Sequence, residues 1–80
     1  MLKAYILVSG VDPTAIPSAT EHIAKVRKVK GVKQAHILFG PHDGIAYVEV
    51  EDLEKLGETI SALYEIGEGV ILDTRIAIPR

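Results

Sequence analysis

The chain has 80 residues, 48% hydrophobic and 25% charged, a balance that indicates one small folded domain rather than a disordered chain. The net charge of −2, from 9 Lys and Arg against 11 Asp and Glu, argues against a protein that mainly neutralises nucleic-acid phosphates. The absence of cysteine excludes disulfides, thiolate metal sites and cysteine nucleophiles. No apolar run approaches the roughly 20 residues that span a bilayer, and the N-terminus lacks a signal-peptide pattern. We therefore expect a cytoplasmic protein without a membrane partner.

Hydrophobic periodicity and turn residues divide the chain into six elements. They are a strand over 2–9, a helix from Ser18 to a left-handed stop at Gly31, strands over 32–39 and 45–50, a helix between Asp52 and Gly67, and a strand over 70–78. Ser18 and Glu21 form a capping box, and Asp52 can cap the second helix. The apolar stripe expected to face the core from the second helix consists of Leu53, Leu56, Ile60, Leu63 and Tyr64.

The order β-α-β-β-α-β predicts the fold class. With right-handed crossovers in both halves, it gives an α+β, ferredoxin-like arrangement over residues 1–80. This is a four-stranded antiparallel sheet with two helices on one face, and it forms a single domain. A domain this small buries only about 60–65% of its extended-chain surface, so oligomerisation is expected to add stability.

Alternation along the strands predicts which residues lie on the sheet face opposite the helices. In the last strand, Val70, Leu72, Ile76 and Ile78 share one parity and are expected beneath the helices. The opposite parity is mostly apolar with two charges, and we expect this open face to be a dimer interface. The predicted interface residues are Tyr5, Leu7, Ile71 and Ala77, with Asp73 and Arg75 beside them.

The histidines and the basic residues show no pattern typical of a metal or nucleic-acid site. His22, His36 and His42 lack the short spacings that bring two ligands onto one metal, so we expect no metal and no cofactor. We interpret His22 as a solvated residue on a helix and His36 as a residue on a strand face. The basic residues of 25–33 surround a helix C-terminus, where cations complement the helix dipole, so we expect no direct nucleic-acid partner.

The turn Gly40-Pro41-His42-Asp43-Gly44 is the remaining candidate for chemistry. Bare backbone N–H groups in a Gly-rich turn can hold a carboxylate, and Asp43 can accept from an ammonium group. A site that holds a carboxylate and an ammonium group together would recognise an amino-acid zwitterion. The alternative is that Asp43 and Gly44 simply make a tight turn.

Five short segments spread over almost the whole chain form a further pattern. They are Gly31-Val32-Lys33-Gln34-Ala35, Gly40-Pro41-His42-Asp43, Val48-Glu49-Val50, Asp52-Leu53-Glu54-Lys55-Leu56 and Gly69-Val70. Together they resemble the effector-binding RAM domain of the leucine-responsive (Lrp/AsnC) transcription regulators. The Gly-x-x-Asp turn is the most specific of these motifs.

This resemblance implies a ferredoxin-like domain that dimerises through the open sheet faces, often within larger rings. It also implies an amino-acid effector bound at subunit interfaces, near the turn and the last strand. The chain begins at its first strand, so it resembles the form without the DNA-binding domain and could mix with full-length regulators. The effector-binding residues implied are Gly40, His42, Asp43, Asp73 and Arg75.

The sequence departs from the family pattern in the last strand, and two other functions stay open. The family commonly has Thr-x-Thr facing the ligand, where this chain has Asp73 and Arg75. These two side chains either choose the effector or pair with each other across the dimer. We expect a protein that is not an enzyme. The alternatives are a small enzyme of the dimeric α+β-barrel type, with His36 or His42 as base, and a structural assembly partner without ligand.

Overall fold

The structure, a computed structural model, describes residues 1–10, 18–38, 43–66 and 71–77, with the side chains of residues 18 and 19 excepted. Its elements are β1 (Leu2–Ser9), α1 (Ser18–Arg27), β2 (Val32–Ile37), β3 (Gly44–Val50), α2 (Leu53–Ile66) and β4 (Ile71–Ile76). They follow the predicted order. The capping box at Ser18 depends on a side chain outside the described part. Neither of the described helices is long and apolar enough to cross a membrane.

The strands form one four-stranded sheet in the order β2-β3-β1-β4, and every neighbouring pair is antiparallel. This confirms the ferredoxin-like topology. The register pairs Tyr5 with Tyr47 on one side of β1 and with Arg75 on the other. A register shift in β2 separates Val32 from Gln34, so Lys33 is the extra residue of a bulge.

One face of the sheet packs against both helices and forms the core. Alternate residues of the central strands β1 and β3 point to this face because side chains alternate along a strand. The buried core residues are Ala4, Ile6, Val8, Ile23, Val26, Ala35, Ala46, Val48, Val50, Leu56 and Leu63. Leu72, Thr74 and Ile76 of β4 face the same side, since they pair with Val8, Ile6 and Ala4. The predicted parity of the last strand is confirmed for the described residues, although Ile76 is half exposed at the edge of the sheet.

Helix α2 begins at the predicted cap, but its buried stripe differs from the prediction. Asp52 Oδ1 accepts a hydrogen bond from the Lys55 N–H at 2.9 Å, which satisfies one of the free donors of the first turn. Leu53 and Tyr64 are 65% and 49% exposed, so the prediction that they face the core is wrong. Thr59, only 4% exposed, lies on the buried face instead.

The buried Thr59 hydroxyl joins α2 to the turn that precedes β2. It lies 3.1 Å from the carbonyl oxygen of Lys30 and 3.1 Å from that of Lys55, and these two acceptors share its single proton. Gly31 lies in the left-handed region at φ 98°, as predicted, but α1 ends at Arg27 and not at Gly31. The Gly31 carbonyl accepts from the Glu49 N–H at 2.9 Å. α2 and the end of β3 are thereby both connected to the turn that precedes β2.

Arg27 fixes the last turn of α1 to the edge strand β2. Its Nε and Nη2 both donate to the carbonyl oxygen of Ala35, at 3.1 and 2.8 Å. β2 is an edge of the sheet, and this contact satisfies one of its acceptors. Arg27 therefore has a structural role within the basic segment.

His22 is half-buried, so its interpretation as a solvated residue on the helix surface is wrong. Its Nε2 is enclosed and has no hydrogen-bond partner among the described residues. Burial lowers the pKa of His22 below its ordinary value of 6.5, and the charge of Lys25 lowers this pKa further. The imidazole is therefore held neutral in the folded chain.

This lowered pKa predicts an acid-sensitive contribution to stability. The unfolded chain protonates His22 below about pH 6.5, whereas the folded chain does so only at lower pH, so the unfolded state binds more protons in that range. The contribution is complete above pH 6.5 and is lost as the pH falls. We expect His22→Gln to reduce the loss of urea-unfolding free energy on acidification below pH 6.5. An equal slope for both proteins would contradict this assignment.

Candidate functional site

Asp43 stands at the point where the end of β1 meets the β2–β3 hairpin. Its main chain is bonded on both sides: its N–H donates to the Val8 carbonyl at 2.7 Å, and its carbonyl accepts from the Leu38 N–H at 2.8 Å. Its Oδ2 accepts from the Gly10 N–H at 2.8 Å, across 33 residues of sequence. The carboxylate is thus held in a defined position. Gly40 and His42, the other predicted residues of this turn, lie outside the described residues.

Asp73 and Arg75 lie on β4 and point away from the helices, as the alternation predicts. They form an ion pair within the chain, with Arg75 Nη2 3.1 Å from Asp73 Oδ2. Both side chains are substantially exposed, so the pair contributes little to the stability of the isolated chain. The pair places one negative and one positive charge on the side of the sheet away from the helices.

The structure does not bring Asp43 and Asp73 into direct contact. Asp73 pairs with Leu7 of β1, while Asp43 borders the other side of the same strand through Val8. The backbones of Asp73 and Asp43 are therefore separated sideways by about two strand spacings, roughly 10 Å.

The side of the sheet away from the helices, here called the open face, consists of cross-strand rows. The first row runs Gln34, Tyr47, Tyr5 and Arg75 from β2 to β4. The second row runs His36, Ile45, Leu7 and Asp73. Below the first row, Glu49 pairs with Lys3. Each row has apolar or aromatic residues on its central strands and polar residues at its edges.

All four predicted interface residues belong to this open face or continue it. Tyr5 and Ile71 are 45% and 67% exposed, and Leu7 is half-buried. Ala77 extends the pairing of β4, since its N–H donates to the Lys3 carbonyl at 2.8 Å. A folded domain that leaves Tyr5 and Ile71 exposed in this way presents an apolar surface suited to an interface.

Sequence reasoning missed Ile45 and Tyr47, which complete the centre of the open face. The rings of Tyr5 and Tyr47 lie 5.2 Å apart at an angle of 41°, a tilted aromatic pair. The alternation along β3 could have shown this, because Ala46, Val48 and Val50 are the buried parity. The pairing itself depends on the register of two strands more than 40 residues apart in the chain.

A cavity of about 360 Å³ lies at the opposite end of the sheet from Asp43. It is open to solvent, and its lining comes from the turn before β2, the end of β3 and the first half of α2. Its lining includes three lysines and three glutamates, and Lys55 and Glu58 pair at 3.3 Å. This cavity contains none of the predicted effector residues. Within the described residues, no three His, Asp or Glu side chains converge as a metal site would require.

Solved structures match this chain along its whole length, whereas no family model matches it and no curated protein is found to be similar. TTHA0845 from Thermus thermophilus superposes with a TM-score of 0.81 at 21% identity, covering 100% of this chain and 96% of that one. A protein designated FFRP gives a TM-score of 0.77 at 28% identity, with coverage of 98% and 100%.

A longer protein contains a region of the same fold. The feast or famine regulatory protein Rv3291c of M. tuberculosis, solved in complex with L-methionine, matches with a TM-score of 0.76 at 16% identity. This chain is covered completely but spans only 52% of that protein. These neighbours include Lrp/AsnC family members, so the resemblance seen in the sequence is confirmed at the level of the fold.

Proposed function

We propose that this chain is a cytoplasmic, amino-acid-sensing module related to the Lrp/AsnC regulators, which self-associates through the open face and is not an enzyme. The observation that carries the proposal is the end-to-end match to FFRP at 28% identity. Rv3291c binds L-methionine, which makes amino acids the ligand class to test. In this role the chain would assemble with full-length regulators and thereby take part in the regulation of transcription.

The contacts of Asp43 support an effector site at the hairpin. Main-chain hydrogen bonds to Val8 and Leu38 fix the backbone of Asp43, and the Gly10 N–H holds its carboxylate, so the charge is positioned before a ligand arrives. In the proposed mechanism Asp43 attracts the ammonium group, and turn amides around Gly40 and His42 hold the carboxylate. Asp73 and Arg75 then select the side chain.

Binding at a subunit interface would couple the effector to assembly. A ligand that contacts two subunits binds only the associated state, so it shifts the equilibrium toward that state. The module would thereby convert an amino-acid concentration into a change in oligomeric state.

A thermal-shift screen of the purified protein against the twenty amino acids, beginning with L-methionine, tests the proposal. At about 100 times the dissociation constant, a ligand specific for the folded oligomer adds about 2.7 kcal/mol. For a domain of this size, that corresponds to a rise in Tm of roughly 10–20 °C. We expect such a shift for one or a few amino acids.

No shift with any amino acid, in a protein that is oligomeric by light scattering, would reject the sensing function and favour the structural assembly partner. The pairing of Asp73 with Arg75 at 3.1 Å is the observation that favours that alternative. Substrate turnover that is lost in His36→Ala would instead favour the small enzyme. Among the described residues, the row neighbour of His36 is the apolar Ile45, which offers no second catalytic group.

A further inference from the structure

The cavity at the end of the sheet opposite Asp43 has a largely apolar inner lining. Its volume of about 360 Å³ lies within the range of small-molecule sites. Val50 is buried in this lining, and Val29, Gly31 and Ala62 are half-buried. A Cβ on Gly31 would come within 2.9 Å of Val50 Cγ1, so the glycine leaves this space open. The interior of the cavity therefore suits the apolar body of a small molecule.

The polar groups of this inner lining already have hydrogen-bond partners within the chain. The Thr59 hydroxyl lies 3.1 Å from the carbonyl oxygens of both Lys30 and Lys55. The Gly31 carbonyl accepts from the Glu49 N–H at 2.9 Å. A ligand that carried an N–H donor into the cavity would compete for acceptors that are already engaged, and a buried donor without a partner is costly. The interior thus favours a group without donors.

Two of the three glutamates that border the cavity each have a lysine beside them. Glu58 pairs with Lys55 at 3.3 Å. Glu49 is the cross-strand neighbour of Lys3, and the alternation along β3 directs its side chain to the open face. These two acidic side chains are therefore offset locally and leave the charge of the other lining residues unbalanced.

The remaining charged residues of the lining are Lys30, Lys33 and Glu51, which are exposed and form the rim of the cavity. Within the described part of the chain, neither Lys30 nor Lys33 forms an ion pair. Lys33 is the extra residue of the β2 bulge, a feature that turns a side chain away from the regular alternation of its strand. The rim therefore has a surplus of one positive charge.

We propose that this cavity binds a small monocarboxylate. Its apolar body would pack against Val29, Val50 and Ala62, and its carboxylate would lie at the rim beside Lys30 and Lys33. One negative charge matches the surplus at the rim. An amino-acid zwitterion has no net charge and would bring an ammonium group toward the two lysines, so it is a poorer match. This site is independent of the amino-acid site proposed above.

A titration of the full chain with benzoate and with hexanoate, followed by amide chemical shifts, tests this site. We expect saturable shifts concentrated in residues 29–33, 49–51 and 55–62, with a dissociation constant on the order of 1 mM. Benzamide and hexanamide have the same bodies without the charge and should bind roughly fivefold more weakly. Phenylalanine, the zwitterion with a similar ring, should give no saturable shift in these residues.

Substitutions test the inner lining and the rim separately. Ala62→Leu fills the cavity from α2 with a residue that favours helix, and it should remove the benzoate response. Lys30→Gln combined with Lys33→Gln removes the rim charge and should weaken benzoate roughly five- to tenfold, with the affinity for benzamide unchanged. Lys28→Gln is the matched control, because Lys28 is exposed in the same turn but does not line the cavity.

Several results would overturn the site. They are no saturable shift with either carboxylate, shifts confined to the Asp43 hairpin, and equal affinity for benzoate and phenylalanine. Parent-like benzoate affinity in the double lysine variant would equally reject it. If circular dichroism shows that Ala62→Leu is unfolded, the double lysine variant decides, since it changes only exposed positions. Asp43→Asn should keep the benzoate response while losing amino-acid binding, so failure of this site is distinguishable from failure of the proposed function.

Discussion

Replacing Gly31 by alanine is expected to lower the free energy of unfolding by about 2–5 kcal/mol. Gly31 has φ 98°, where an L side chain is strained by about 1–2 kcal/mol. A Cβ there would lie 2.9 Å from Val50 Cγ1 and 3.1 Å from Thr59 Oγ1, so a well-packed neighbour must move, at a cost of about 1–3 kcal/mol. Thermal unfolding at fixed protein concentration measures this as a drop in Tm of roughly 10–40 °C.

Gly57→Ala is the matched control. It adds the same methyl group, but the expected change in stability has the opposite sign. Gly57 lies within α2, and a Cβ there meets nothing within 4 Å. Alanine is favoured over glycine in a helix by about 1 kcal/mol, so this variant should gain stability. If both variants changed Tm by the same amount in the same direction, the close approach at Gly31 would not be the cause.

The Gly31 contact illustrates which parts of the fold could be predicted from the sequence. Local signals sufficed for the left-handed glycine and for the Asp52 cap, because each is encoded within a few residues. The helix–strand order and the strand parities also followed from local periodicity. The neighbours that make Gly31 irreplaceable, Val50 and Thr59, come from β3 and α2 and could not be foreseen.

Thr59 shows why the stripe of α2 was predicted incorrectly. A pattern based on hydrophobicity selects Leu53 and Tyr64 over a threonine, although Thr59 shares a face with Leu56 and Leu63 at helical spacing. Burial of Thr59 is possible because its hydroxyl finds carbonyl partners, one of them on the distant Lys30. A hydrogen bond to a residue so far away in the chain leaves no pattern in the sequence around Thr59.

For the candidate site, too, the local features could be predicted from the sequence and the tertiary contacts could not. Alternation placed Asp73 and Arg75 on the open face, and turn chemistry singled out Asp43. The contact of Asp43 with Gly10 spans 33 residues, so the sequence could not indicate that the carboxylate also holds the chain after β1. This contact means that Asp43 has a structural role whether or not it binds a ligand.

Asp43→Asn is expected to separate these two roles. An asparagine carbonyl can still accept from the Gly10 N–H, which is 2.8 Å from Oδ2 in the parent chain, so the hairpin end is preserved. The negative charge that attracts the effector's ammonium group is lost. A hydrogen bond to a charged group contributes about 1.5–3 kcal/mol, so amino-acid affinity should fall roughly 10–150-fold, as measured by isothermal titration calorimetry.

Asp43→Ala removes the acceptor as well as the charge. It should lose ligand affinity to at least the same extent and also lose about 1 kcal/mol of stability, because the Gly10 N–H forfeits its partner. Dimerisation should persist in both variants, since their open-face rows from Gln34 to Arg75 are unchanged. Parent-like amino-acid affinity in Asp43→Asn, combined with reduced stability in Asp43→Ala, would show that this carboxylate serves the fold alone, and the ammonium group would then have to be held elsewhere.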